Sequence, residues 1–293
     1  MEAMESVKAL QYPNIEYIIS DDASKDDTVE ICKKWIEANR DRFVDVKLLT
    51  VEKNTGVAKN FHRAISAATG EWIKSVSGDD ALLPDCLKKL FAYVSQHPEA
   101  KMILAQTKRY DTYLDEEHFI DIHGSKDDAI NKATTASAQY QILLAWACID
   151  APAVFYHRSV FDIPELQNCG YAGLEDYPRF LTYTRLGNRI YFCEEPIIKY
   201  RKSPTSLQIT TNFGNLITRC YIQMYFEETH AYYKGLDSLA HEVFYRYQRV
   251  LINASDSRTK YNIIRYTLYP LYWAACRLKT YYDYRRIAKA LKG

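Results

Sequence analysis

Residues 54–85 read NTGVAKNFHRAISAATGEWIKSVSGDDALLPD, and this stretch decides the fold class. Asn54-Thr55-Gly56 has turn chemistry. In the segment that follows, Val57, Phe61, Ala64, Ile65 and Ala68 fall on one face of a 3.6-residue repeat, which predicts an amphipathic helix. Gly70 acts as a stop signal. Residues 71–76 then predict a short strand, closed by Ser77-Gly78-Asp79-Asp80, and a new helix is expected to start near Pro84. The alternation continues on both sides. Upstream, residues 15–20 (IEYIIS) predict a buried strand after Tyr12-Pro13-Asn14, and residues 21–28 a polar loop. Residues 29–38 predict a helix with Val29, Cys32 and Ile36 on one face, and residues 46–51 the next strand. Downstream, residues 102–105 predict a fourth strand. Strands and helices joined by short connections imply an α/β domain whose mainly parallel sheet is flanked by helices. Such sheets bind ligands beyond the carboxyl ends of their strands. Asp21-Asp22 and Asp79-Asp80 both stand at such ends.

Beyond this region the pattern is less regular. Residues 111–138 read as polar and irregular, residues 153–156 as a strand, and residues 174–186 as a helix. Residues 191–200 suggest a strand or edge segment interrupted at Pro196. Past Asn215 the pattern is helical, with a break or kink expected at Pro270. A boundary near residue 210 separates residues 1–210, the α/β domain, from residues 211–293, a helical, basic and aromatic-rich extension.

Composition narrows the function classes. The chain has 293 residues, 47% of them hydrophobic and 26% charged, which is ample for a sizeable core. A net charge of +1 points to neither a nucleic-acid nor an acidic partner. The seven cysteines are scattered without a CxxC pair, a usage that suits reduced thiols in a cytoplasmic setting. No stretch approaches the roughly 18 apolar residues of a membrane span, and the N-terminus shows no secretory h-region.

Each acidic cluster has a chemical and a structural reading. Adjacent carboxylates such as Asp79-Asp80 suit a hard divalent cation whose remaining positions a diphosphate fills; equally, one of them caps the helix that follows. Asp21 or Asp22 suits hydrogen bonding to a nucleobase or ribose, or is simply part of a solvated loop, with Asp26 or Asp27 as the next N-cap. Glu175-Asp176 in GLEDY supplies a candidate general base for an attacking hydroxyl, or an acidic helix start that complements the dipole.

Four blocks carry a resemblance when taken in order: YPNIEYIISDDASKDDTVEI (12–31), NTGVAKNFHRAISAATGEWIKSVSGDDALLPD (54–85), GLEDY (173–177) and YRKSPTS (200–206). Together they resemble family 2 glycosyltransferases, over about residues 4–206. The resemblance implies a glycosyltransferase A-type fold. It implies that Asp21 and Asp22 contact the base and ribose of the donor, that Asp79 contacts its ribose or phosphate, and that Asp80 binds Mn²⁺ or Mg²⁺. It further implies that Asp176, with Glu175 beside it, is the catalytic base of an inverting transfer, and that Tyr200 and Arg201 close over the diphosphate. Asn54, Gly56 and Asn60 match a mostly structural loop and helix start. Two departures stand out. Ser77 stands where an additional Asp is common, and the apolar first strand that usually opens the family and lies in mid-sheet is not found here.

The expected activity is therefore an inverting, metal-dependent transfer of sugar from a nucleotide-sugar donor, with UDP-sugar the first choice, to a glycan or lipid-linked acceptor of the cell surface. The alternative is a catalytically impaired binding or scaffold protein on the same fold. A nucleotidyltransferase is disfavoured because no Gly-rich basic phosphate loop appears early in the chain. Between residues 258 and 293 nine Lys and Arg face one acid, Asp283, amid many Tyr, Leu and Trp. That pattern suits either a helix lying on an anionic membrane surface or an appendage packed on the domain with a solvated basic face. Nucleic acid is not an expected partner, since no recognisable module accompanies the charge. These readings place the chain in the cytoplasm, with peripheral attachment to the inner face of the cell membrane if the first of them holds.

Overall fold

A computed structural model describes residues 1–167, 169–171, 173–202, 216–254 and 258–292. The chain opens with helix α1 (Glu2–Lys8), followed by β1 (Glu16–Ser20), α2 (Thr28–Asn39), β2 (Asp45–Leu49), α3 (Val57–Ala67) and β3 (Trp72–Lys74). Then come β4 (Ala81–Leu82), α4 (Cys86–Gln96), β5 (Met102–Asp111), β6 (Phe119–His123), α5 (Ala129–Lys132) and α6 (Ala136–Ala145). The body ends with β7 (Val154–His157), α7 (Tyr177–Arg185) and β8 (Tyr191–Lys202). Three helices complete the chain: α8 (Leu216–Met224), α9 (Gly235–Asn253) and α10 (Arg258–Ala290). The expected strand-helix alternation through residue 105 is present, with the two-residue strand β4 as an unforeseen addition.

The sheet differs from the expectation in direction. β1 and β2 form a parallel pair, and the remaining six strands form a second sheet ordered β3-β7-β5-β8-β4, with β6 beside β5. Within that sheet only β5 and β8 run parallel; β3–β7, β5–β7, β4–β8 and β5–β6 are antiparallel. The mainly parallel sheet is thus corrected to a mixed one. The antiparallel pairs all involve β6, β7 or β8, strands that follow residue 105; only β6 reaches its partner β5 through a short connection. Among the described residues the two sheets do not join, so one edge of β1 and one edge of β3 pair with no strand.

Three local expectations also change. Residues 111–138 are not irregular: they contain β6, α5 and the first turn of α6. α6 buries Ala136, Gln139, Tyr140, Ile142, Leu143 and Leu144, which spread over several sides of the helix, so it has no one-sided stripe to betray it. Its buried Gln139 donates to the carbonyls of Ile130 (3.2 Å) and Ile190 (2.7 Å) and accepts from the Ile190 amide (2.8 Å). β8 is neither broken at Pro196 nor an edge. It lies between β5 and β4, and the missing amide of Pro196 is accommodated where its register with β5 shifts opposite Gln106. α10 runs through Pro270 without a break. The carbonyl that loses its partner there lies in a segment exposed to water, which solvates it.

One core spans the body. Leu90, Met102, Ile103, Ile197 and Ile198 are fully buried between α4 and the large sheet, and Trp35, Phe43 and Val46 continue the core beneath β1 and β2. Cys220 and Met224 of α8 and, more peripherally, Ile287 and Ala290 of α10 join the same cluster.

Candidate functional site

Asp21 and Asp22 stand where β1 ends. The Asp21 carboxylate is buried and accepts from the amide (3.0 Å) and hydroxyl of Ser24. Asp22 reaches across to the turn before α3. Its Oδ2 accepts from the amides of Thr55 (2.8 Å) and Gly56 (2.7 Å), and its Oδ1 from the Thr55 hydroxyl (2.6 Å) and the Arg63 guanidinium (3.1 Å). Burial works against its charge, yet these bonds hold the Asp22 carboxyl below the usual carboxylate range. Asn60 fastens the same corner by accepting from the Ser20 hydroxyl (2.6 Å) and from Arg63 (2.8 Å).

The opposite face of α3 meets the segment that leads to Glu175-Asp176. His62 Nε2 lies 2.9 Å from the Cys169 carbonyl, and the Arg179 guanidinium lies over the Phe61 ring at 4.1 Å. Asp176 is the N-cap of α7 and accepts from the Tyr177 amide at 2.6 Å. Burial raises the pKa of both carboxyls, Glu175 to about 7, and the like charge of Asp176 adds to the shift of Glu175. Arg179, one turn on, opposes the rise in both. It is 1% exposed and enclosed by Phe61, Tyr156 and Phe161, and neither its Nε nor its Nη2 has a hydrogen-bond partner. A buried cation without a full set of acceptors is retained at a cost. Here its charge offsets the carboxyl pair.

Asp79 is exposed and Asp80 is 1% exposed. Asp80 Oδ1 accepts from the Arg201 amide at 2.9 Å, which ties the acidic turn to β8. Burial pushes the Asp80 carboxyl up to about 7, with the charge of Asp79 adding to it and Arg201 and Lys74 opposing. The Arg201 guanidinium is occupied by the carbonyls of Asp79 (2.8 Å) and Thr112 and by the Glu2 carboxylate. Lys74, in β3 behind the acidic turn, donates to the carbonyls of Ser75 (2.7 Å) and Pro152, and burial lowers it to about 8.

Tyr200 brings these parts together. Burial pushes its phenol up to about 12, and Asp80, Asp150, Asp79 and Asp176 all add to the rise through their charge. The charges of the acidic turn, of Asp150 and of Asp176 thus all act on one phenol. Asp150 is itself held by Thr107 (2.8 Å) and His123 (2.7 Å). Despite burial, the hydrogen bond and charge of His123 keep Asp150 below its ordinary value, and the same bond raises His123. A narrow cleft lined by Ala105, His123, Gly124, Cys148 and Asp150 lies beside this pair.

The structure therefore gathers Asp79, Asp80, Asp176 and Tyr200 in one electrostatic neighbourhood. Asp21 and Asp22 stand apart from them, with Asp22 on the other face of α3, and Ser203 to Ser206 of the late block lie outside the described residues. Sequence reasoning missed Arg63, Lys74, Arg179 and the Asp150–His123 pair. Lys74 interrupting an apolar run and Arg179 three residues past Asp176 were available signals; Asp150 and His123 had none.

The chemistry of the donor set admits a divalent cation. Among the described residues no three His, Cys, Asp or Glu side chains converge as a closed cage. Magnesium-type sites commonly use one or two carboxylates and complete their shell with substrate phosphates and water. Asp79 and Asp80 are of that kind.

Comparison with known proteins gives one consistent family. Residues 1–162 match the family described as Glycosyl transferase family 2. EpsE of Bacillus subtilis (strain 168), a glycosyltransferase by name, is 33% identical over 102 residues, 35% of this chain and 36% of that protein. The glycosyltransferase GlyG of Streptococcus pneumoniae is 32% identical over 112 residues, 38% and 35% of the two chains. The chain thus spans about a third of the length of these curated relatives. Among solved structures, S. aureus TarS 1-349 in complex with UDP-GlcNAc superposes with a TM-score of 0.56 at 17% identity, covering 99% of this chain and 87% of TarS 1-349. At that identity the likeness is one of fold.

Proposed function

Because the chain belongs to glycosyltransferase family 2, we propose that it transfers a sugar from a nucleotide-sugar donor, a UDP-sugar in the first instance, to a glycan or lipid-linked acceptor in cell-surface polysaccharide synthesis. The observation that carries this reading is the tie of the acidic turn to β8, where Asp80 accepts from the Arg201 amide at 2.9 Å, next to Tyr200, on which the charges of Asp79, Asp80 and Asp176 all act. In it, residues 1–210 house catalysis, and the site faces the cytoplasm, where nucleotide sugars are made. Asp80, with Asp79, holds Mn²⁺ or Mg²⁺, which when bound neutralises the charge developing on the departing nucleoside diphosphate. Asp176 takes the proton of the acceptor hydroxyl as it attacks the anomeric carbon, and the configuration inverts in a single displacement. Its raised pKa makes it a stronger base than an exposed carboxylate, and the charge of Arg179 opposes that rise. Glu175, with its pKa near 7, takes up the proton balance of the pair. Tyr200 and Arg201 border the diphosphate, and Asp21 and Asp22 shape the nucleoside end, Asp22 by fixing the turn at Thr55 and Gly56.

The divided sheet favours a second reading, a binding protein in which the nucleoside site is incomplete. Calorimetric titration with UDP separates the two. Binding that requires Mn²⁺ and is lost in Asp80→Ala is the expected result. Absence of binding with or without metal removes the enzyme reading for uridine donors.

A further inference from the structure

A basic, aromatic-rich helix has two ways to sit on a domain, rings inward or rings outward. In α10 the inward side is taken by a few residues only. Ala275 and Asp283 are buried, and Tyr272 stacks on Tyr247 at 4.2 Å and on Phe244 at 5.6 Å. Lys279, Arg286 and Ile287 also face inward, whereas a second set of large side chains points away from the body. Ile263, Tyr266, Tyr269, Trp273, Tyr281 and Tyr284 are spaced by threes, fours and an eight, which sets them along one stripe of the helix. Every one of them is more than half exposed, from 51% at Tyr269 to 74% at Tyr266. Residues 265–271 are exposed without exception, Leu268 and Leu271 among them. An apolar surface of this extent marks an interaction site.

Its charge identifies the occupant. The Arg277 guanidinium lies over the Trp273 ring at 5.3 Å, and that of Arg285 over Tyr281 at 5.5 Å, so cations are mounted on the stripe itself. Arg265, Lys289 and Lys292 are exposed along the same helix. The single acid between residues 258 and 293, Asp283, is buried and held by Lys279 at 2.6 Å. The stripe from Ile263 to Tyr284 is about 32 Å long at 1.5 Å per residue, long enough to lie along a plane. No described helix is long and apolar enough to cross a membrane.

We propose that the outer face of α10 docks on an anionic lipid bilayer, lying along it with the rings at headgroup depth and Arg277 and Arg285 on lipid phosphates. A second copy of the chain fits less well, because two such faces would bring like charges together. Lipid binding of this kind needs neither donor nor catalysis, so it stands or falls apart from the transferase reading.

Sedimentation of the full chain with vesicles tests it. The protein is expected to pellet with phosphatidylglycerol-containing vesicles at low salt, to be released by high salt, and to stay in solution with pure phosphatidylcholine. Arg277→Gln and Arg285→Gln should each weaken binding roughly fivefold. Tyr266→Glu with Trp273→Glu should weaken it by on the order of tenfold or more, with an unchanged circular dichroism spectrum. The salt and lipid dependence of the unmodified chain needs no variant, so a variant that misfolds leaves the test intact. No pelleting with anionic vesicles at low salt overturns the proposal. So does binding that none of these substitutions alters, or a concentration-dependent dimer in ultracentrifugation that the Tyr266 and Trp273 substitutions abolish.

Discussion

The behaviour of single residues in this site is set by how a few charges are enclosed. Asp176 is pushed up by burial and held back by Arg179, so its pKa reports the balance of the two. A general base acts only when deprotonated, so activity falls as pH drops through that raised value, above the range of an exposed aspartate. Arg179→Met removes the opposing charge and should move the acid limb of the kcat/KM profile to higher pH, measured with the donor that calorimetry identifies. Asp176→Asn should lower kcat by about 10²–10⁴-fold while calorimetric UDP binding is kept. Equal loss of binding in that variant would show Asp176 to be structural. The acidity of the GLEDY block was legible from its residues. Its surroundings were not, because the compensating Arg179 owes its effect to Phe61, Tyr156 and Phe161, which only folding brings around it.

At the level of elements, the turn into α3 is the joint on which the first two blocks depend. Asp22 supplies four acceptor contacts to Thr55, Gly56 and Arg63, and Gly56 adopts φ 88°, a conformation L side chains rarely take. An amide in place of the carboxylate cannot accept all four bonds and carries no charge for Arg63. Asp22→Asn should therefore cost about 2–3 kcal/mol in urea unfolding. Gly56→Ala should cost about 1 kcal/mol or more through strain. A shift within about 0.5 kcal/mol for Asp22→Asn would mean that the turn is held elsewhere. The turn was readable as Asn-Thr-Gly, and α3 from its stripe. α6 was not, because a helix whose buried residues lie on several sides carries no clear period, and β6 was not, because its short run lies in a polar stretch.

For the whole molecule, the C-terminal helices are joined to the body by a buried polar cluster. Asp237 of α9 accepts from Arg286 of α10 and lies 3.0 Å from His241 Nδ1, while Arg286 also donates to Gln141 of α6 at 2.8 Å. His241 is fully buried, stacks on Tyr233 at 3.8 Å, and has Asp283 3.4 Å from its other nitrogen. Removing one member strands the others. Asp237→Ala should destabilise the protein by about 3–5 kcal/mol, whereas Asp237→Leu combined with Arg286→Met should cost less than that single change. Thermal and urea unfolding of the two variants checks this; a double variant worse than Asp237→Ala would show that the cluster contributes net stability. The divided sheet belongs to the same scale, since β1 and β3 each present an edge paired with no described strand.

By itself the sequence determined the local elements through residue 105 except the short β4, the order of the acidic blocks and the family to which they point. Those features depend on residue type and short spacing, which survive without a third dimension. Only the tertiary structure decided the mixed direction of the sheet, because strand pairing is a contact between distant segments. It likewise decided that Asp22 latches a turn, that Asp79, Asp80, Asp150 and Asp176 share one neighbourhood around Tyr200, and that α10 turns its rings outward. Charge, burial and exposure are properties of an environment, and no single segment of this chain contains its own.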